Sequence, residues 1–237
     1  MLYTNGYKIY SWIVTRTRAE AQSSGQAAYD ALMNSIRNGV FRPGDRLREE
    51  NVGEHLSLSR TPVREALRRL EAERIVEHRP RIGAIIRKLS HTEIVELYEM
   101  RIVLERTAAE IAAKHGTDAE FDALDGLNRE IEQERGNPAR AAALNQDFHQ
   151  GLYLACRNRF LLEAARSLNN SLLLLGPTTY TGDERINVVV GQHSDILDAL
   201  RRGDAEAAGT AAEAHLETSL RYRLGALVQD RGERRNG

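Results

Sequence analysis

Residues 58–71 read Leu58-Ser59-Arg60-Thr61-Pro62-Val63-Arg64-Glu65-Ala66-Leu67-Arg68-Arg69-Leu70-Glu71, and the reading of this stretch decides how the front of the chain folds. Val63, Ala66, Leu67 and Leu70 recur at i, i+3, i+4 and i+7, the pattern of a helix with one buried face. Arg60, Arg64 and Arg68 stack on another face. Ser59 stands where a hydroxyl N-cap belongs, and Pro62 falls in the first turn, where its missing N–H does no harm. Such a helix has its tilt set by an apolar underside and carries cations outward, which suits the major groove of DNA. Taken alone, the arginines read more simply as a solvated stripe; the flanking sequence reverses that preference.

Upstream, Ala28, Leu32 and Ile36, with Tyr29 and Met33 alongside, predict a helix from Ser24 that Asn38-Gly39 closes. Pro43-Gly44 forces a turn, a short helix runs from about Arg48 to Leu56, and a tight Ser57-Leu58 corner leads into Ser59. Downstream, Ile75 and Val76, then Ala84, Ile85 and Ile86, bracket a polar tip from His78 to Gly83, which reads as a two-stranded hairpin or wing. Charge agrees with this organisation. Residues 24–90 carry 13 basic and 9 acidic side chains, whereas residues 91–237 carry 17 and 24, an asymmetry that the overall charge of -1 conceals. Polyanions are met by clustered cations and not by a protein's total charge.

From Ser90 onward the pattern is helical, with six helices at about 91–115, 118–135, 139–156, 159–175, 184–202 and 204–228. Gly116, Gly136-Asn137-Pro138, Asn158, Gly176-Pro177 and Gly203-Asp204 separate them, with Asn158 and Asp204 as caps. The expected architecture is mainly α: a winged helix-turn-helix over 24–89 and an all-α six-helix bundle over 90–230. An extension at 1–23 precedes them and a tail at 231–237 follows. The longest apolar run, around Leu172 to Leu175, is far short of a membrane span, and the N-terminus lacks an apolar signal core. A lone Cys156 excludes a disulfide framework within the chain and suits a reducing compartment. A cytoplasmic protein with no membrane partner is expected. Tyr3, Tyr7, Tyr10 and Trp12 make the extension either a leader or a segment that docks on another protomer and builds an assembly beyond a dimer.

Three histidines fall on three different helices of the bundle: His149, His193 and His215. Asn145 lies four residues before His149 and shares its helical face. One buried histidine is ordinarily hydrogen-bonded core. Three with an i, i+4 oxygen partner suit a divalent first-row metal, zinc by default where imidazole dominates, with nickel or manganese as alternatives.

The run Arg42-Pro43-Gly44-Asp45-Arg46-Leu47, followed by residues 58–71, resembles the winged helix-turn-helix of the GntR family. The resemblance implies operator contacts from Arg60, Thr61 and Arg64 on the recognition helix, from Arg48 on the helix before it, and from Arg81 and Gly83 in the wing. The chain departs from the family pattern at Arg74, where glycine usually follows the recognition helix, so the path into the wing is open. The remainder resembles the FCD ligand-sensing domain, and six helices suit its VanR-like subgroup. The pattern that matches is Asn145-x-x-Phe148-His149, Asn158, His193 before Ile196-Leu197, and Gly203-Asp204 leading to His215-Leu216. In that family three histidines and an Asp or Asn hold a metal at the floor of a cavity, and a metabolite carboxylate completes its coordination. Asn145 stands where Asp is frequent, a weaker and uncharged ligand that favours an anionic effector. By the same resemblance Arg101 faces the cavity and binds effector; its alternative is a surface ion pair with Glu105 at i, i+4.

The expectation is therefore a bacterial homodimeric transcriptional regulator, a repressor by preference, that binds double-stranded operator DNA and responds to a small carboxylate. Two rivals stand beside it. A metal site with no effector would be purely structural. A metal-dependent hydrolase would need a general base, for which Asp147 and Glu213 are the near carboxylates in sequence.

Overall fold

The computed structural model describes residues 24–236, with side chains through 228. It divides into two compact units, one ending at Lys88 and one beginning at Leu89. The extension at 1–23, with its four aromatic residues, lies outside the described residues.

In the first unit, helix α1 (24–37) buries Ala28, Tyr29, Leu32, Met33 and Ile36, and Gly39 ends it at a φ of 73°. Strand β1 (Arg46–Leu47), helix α2 (Glu49–Leu56) and helix α3 (Arg60–Ala72) follow, then strands β2 (Val76–Arg79) and β3 (Gly83–Ile86). The three strands form an antiparallel sheet in the order β1-β3-β2, with Arg79 opposite Gly83 at the tip of the hairpin. Val63, Ala66, Leu67 and Leu70 form the buried face of α3, as their spacing requires.

Two local expectations change. Ser59 occupies the N-cap of α3 in extended conformation but makes no side-chain capping bond. Pro62 at the third helical position removes one of the two amides an N-cap hydroxyl can accept from. Arg74 takes the left-handed conformation itself, at a φ of 58°, while the Ile75 amide donates to the Leu70 carbonyl at 2.9 Å. The chain thus leaves α3 along the path a glycine would give, with the Cβ strain retained. We expect Arg74→Gly to raise stability by up to about 1 kcal/mol, read as a higher urea midpoint at unchanged slope.

The second unit consists of six helices among the described residues: α4 (His91–His115), α5 (Asp118–Gln133), α6 (Pro138–Ala155), α7 (Arg159–Leu172), α8 (Asp183–Arg201) and α9 (Ala205–Asn236). Reciprocal capping boxes start α4, through Ser90 and Glu93, and α5, through Thr117 and Glu120. Asn137, Asn158 and Asp204 accept first-turn amides at the starts of α6, α7 and α9. Helix α7 tightens into a 3-10 turn at Leu173–Leu175 before Gly176 reverses the chain. Helix α9 runs to Asn236, past the expected end at 228 and through most of the segment read as a tail. No proline interrupts it, and Gly225 and Gly232 weaken a helix by only about 1 kcal/mol each.

Small residues set the packing of α4 on α9. Ala108, Ala109 and Ala112 share one core with Ala208 and Ala212. At Gly209 an added Cβ would meet the Glu110 side chain at 2.7 Å. Close backbone approach is what allows polar side chains elsewhere along these helices to meet in the interior.

Candidate metal centre and nucleic-acid interface

On the first unit, Arg48, Arg60, Thr61, Arg64 and Arg81 are all exposed, and Gly83 is half-buried at the start of β3. Arg81 holds a φ of 66° and Gly83 one of 98°, so the wing tip is a tight left-handed turn. The sequence reading missed what the arginines touch. Arg60 Nη2 donates to Glu50 at 2.6 Å, and Arg64 donates through Nε and Nη2 to both oxygens of Glu49, each at 2.9 Å. The hydrogen bonds from Arg64 hold the Glu49 carboxyl below its usual range. Both acids sit in the first turn of α2, where the helix dipole favours negative charge. The recognition helix therefore presents two of its three stacked cations already matched by solvent-exposed carboxylates, contacts that phosphates can replace at small cost.

In the second unit, His149 of α6, His193 of α8 and His215 of α9 converge, with ring nitrogens within 4.8 Å of one another and all three rings buried. Two of the rings have Nδ1 hydrogen-bonded: His193 Nδ1 lies 3.1 Å from Asn128 Oδ1 and His215 Nδ1 lies 3.2 Å from Gln192 Oε1. His149 Nδ1 stands 2.5 Å from Glu105 Oε2 but makes no hydrogen bond. Oxygen partners at Nδ1 of His193 and His215 favour the tautomer that leaves Nε2 as the lone pair available to a metal. His193 Nε2, His149 Nε2 and Asn145 Oδ1 are buried and have no hydrogen-bond partner. Orphaned acceptors of this kind are rare in a finished core, and here they lie on the residues expected to ligate.

Burial, then the neighbouring imidazoles, push His193 and His215 well below their ordinary range; at His193 the Arg185 cation acts in the same direction. Both rings are neutral near pH 7, the form a metal needs. The donor set fits a divalent ion with room for one further ligand. Glu105 organises the surroundings. Its carboxylate is buried, accepts from Arg101 Nη2 at 2.8 Å and abuts His149, and its charge, after burial, raises the Tyr153 hydroxyl. Burial alone would raise its pKa, but His149 and Arg101 hold it down at about 2.

Arg101 is buried, so the surface ion pair considered from sequence becomes an interior one. Its Nε is buried without a partner, and its guanidinium lies 5.1 Å from the centre of the Tyr98 ring. Neither carboxylate weighed as a catalytic base serves as one: Asp147 is exposed, and Glu213 is tied to Arg106. Sequence reasoning missed Glu105, Asn128 and Gln192 as supports. Asn128 had a readable signal, a polar residue on the buried stripe of Leu124 and Ile131.

A three-stranded winged helix-turn-helix joined to a six-helix bundle defines a helix-turn-helix regulatory protein. Residues 24–86 match the bacterial regulatory proteins of the gntR family, and residues 96–218 match the FCD domain. The uncharacterized HTH-type transcriptional regulator YdhC of Bacillus subtilis is 30% identical over 190 residues, covering 79% of this chain and 85% of that protein. A probable D-xylose utilization operon transcriptional repressor of Paenarthrobacter nicotinovorans is 30% identical over 213 residues, 87% of this chain and 89% of its own. The crystal structure of a putative transcriptional regulator GntR from Rhodococcus sp. RHA1 superposes with a TM-score of 0.72 at 27% identity, over 86% of this chain and 99% of that one. The chain belongs to the GntR family of transcriptional regulators, in the form that carries an FCD domain; the matched families are regulators and not enzymes. Among the described residues no helix is long and apolar enough to cross a membrane.

The neutral imidazoles make stability depend on pH in a defined direction. In the unfolded chain His193 and His215 titrate near 6.5; in the fold they stay neutral well below that. Their contribution is complete above about pH 6.5 and is lost as pH falls beneath it, by about 1.4 kcal/mol per pH unit for each residue. Glu105, held at about 2 against an ordinary 4.5, contributes fully above about pH 4.5 and begins to lose that only below it, outside this range. Chelator-treated protein should thus show a falling urea midpoint between pH 7.5 and 5.5, and a flat profile would mean that the rings are not buried and neutral.

Proposed function

We propose that the chain is a cytoplasmic, homodimeric, sequence-specific repressor whose DNA affinity is set by a carboxylate-bearing metabolite bound beside a divalent metal, zinc by default, in the helical unit. The observation that carries this reading is the convergence of His149, His193 and His215, with buried, unpartnered acceptors on His149, on His193 and on Asn145 one turn before His149, in a chain that also has a winged helix-turn-helix. A polypeptide does not normally leave such atoms unsatisfied without a ligand to receive them. The ion would supply a Lewis-acidic position that takes one oxygen of the effector's carboxylate. His149, His193 and His215 would hold it through Nε2, with Asn145 Oδ1 as the oxygen donor.

Arg48, Arg60, Thr61, Arg64, Arg81 and Gly83 make the DNA face of each protomer. Two copies read successive major grooves of a pseudo-palindromic site, phosphate contacts supplying affinity and arginine contacts supplying choice. Glu49 and Glu50 hold Arg64 and Arg60 in the free protein, so the arginines are released only where a base edge or phosphate competes successfully. Arg101 extends toward the effector from α4 while anchored by Glu105. Because α4 starts at His91, just past the end of the DNA-binding unit at Lys88, a shift of α4 has a short path along the chain to the head. Effector changes operator affinity only by the difference in its binding to the two states.

Two experiments test the reading. In gel-shift titrations Arg64→Ala should bind operator about ten- to a hundredfold more weakly, and Glu49→Gln should bind unrelated DNA more tightly than wild type at low salt. Unchanged operator binding by Arg64→Ala would remove that residue from the interface. Purified His193→Ala should retain less than a tenth, roughly, of the wild-type metal measured by mass spectrometry. Equal metal content in variant and wild type would overturn the ligand set.

A further inference from the structure

Two buried cations of the helical unit have no anionic partner among the described residues. Arg185, in the first turn of α8, is 4% exposed; its Nη2 donates to Ser219 at 2.9 Å, while Nε and Nη1 are buried without partners. Arg223 of α9 is 8% exposed; its Nη1 donates to the carbonyls of Leu175 and Pro177, and its Nε is buried without a partner. Among the described residues neither makes an ion pair. The groups that act most strongly on the Arg185 charge are Tyr180, Tyr222, Tyr98 and Arg223, and Arg185 in turn lowers His193 and His215; no carboxylate stands among them.

Aromatic contacts answer only part of this burial. Arg185 lies 4.4 Å from the centre of the Tyr222 ring and 5.4 Å from that of Tyr180. A ring quadrupole offsets part of the desolvation of a buried cation and leaves its N–H donors unpaired. Arg101 shows what a settled pair looks like in the same helical unit, with Glu105 at 2.8 Å. Arg185 and Arg223 lack such a partner.

Their position relative to the imidazoles is defined by the chain. The contacts Arg185 to Ser219, Gln192 to Thr218 and Gln192 to His215 run in opposite senses along α8 and α9, so the two helices are antiparallel. Arg185 stands eight residues before His193, and Arg223 eight residues after His215. The backbone positions of both arginines therefore lie on the same side of the imidazoles, about 12 Å of helix rise away, or two turns, and the long Arg185 side chain reaches close enough to act on His193 and His215.

We infer that Arg185 and Arg223 form a buried anion site and that the effector is a linear dicarboxylate, one end at the imidazoles and the other between these two guanidinium groups. The anion site rests on the unmatched cations alone; the assignment of both ends to one molecule rests on the proposed effector reading. Ser219 and Tyr222 orient Arg185, and the carbonyls of the 173–177 segment orient Arg223, so the distal carboxylate meets two preset forks.

Thermal unfolding of the full chain tests this with succinate, glutarate and adipate, each compared with the monocarboxylate of equal length at constant ionic strength. At least one dicarboxylate should raise the wild-type melting temperature saturably and bind at least about tenfold more tightly than its monocarboxylate. Without ligand, Arg185→Met should melt above wild type, since an unmatched buried charge is replaced by an apolar chain, and it should lose the dicarboxylate advantage. If Arg185→Met does not fold, Arg185→Lys, which keeps the charge and loses the fork, carries the same comparison and should bind the dicarboxylate more weakly. No stabilisation by any dicarboxylate, or an advantage that survives in both variants, overturns the site. Dicarboxylate binding that leaves operator affinity unchanged would sink the effector reading and leave the anion site standing.

Discussion

The helical unit depends on the burial of one carboxylate. Glu105 is 1% exposed, in a medium where an isolated ion would cost several kcal/mol, and it is tolerated because Arg101 and His149 face it from two sides. That single charge does three things at once. It keeps Arg101 inside the protein, it stands 2.5 Å from the His149 ring of α6, and its charge, with burial, raises the Tyr153 hydroxyl on the same helix. Removing it would strand a guanidinium and leave an imidazole without its neighbour, so the geometry of the histidine cluster and the integrity of the core are one problem.

The same interior contains both a settled and an unsettled charge balance. Around Glu105 each ion has a counter-ion at contact distance. Around Arg185 and Arg223 there are aromatic rings, a hydroxyl and carbonyls, but no carboxylate among the described residues. The alanine and glycine seam between α4 and α9 is what brings these layers together, because only small residues let two long helices approach closely enough to exclude water. A site that binds by charge gains most from such dryness, since attraction between opposite charges strengthens as the local dielectric falls.

In the DNA-binding unit the balance is of another kind. Glu49 and Glu50 meet their arginines in solvent, where ion pairs form and break readily. The apolar face of α3 sets where the cations point, and the acids of α2 hold them until something better is offered. Specificity of this sort comes from competition between partners, not from a tightly built pocket.

Much of this was legible in order of residues. The apolar stripe of α3, the turn chemistry at Pro43-Gly44, the punctuation between the six helices and the caps at Asn158 and Asp204 are local patterns, and local patterns follow from helical periodicity and backbone stereochemistry. Histidines on three helices announced a candidate ligand set for the same reason. What only the tertiary structure decided is who stands beside whom. Asn128 lies 65 residues from the ring it hydrogen-bonds, and the partners of Arg223 lie 48 and 46 residues away. Periodicity assigns a side chain to the interior; only packing assigns it a counter-charge, because electrostatic partners are chosen across helices, where sequence distance carries no information.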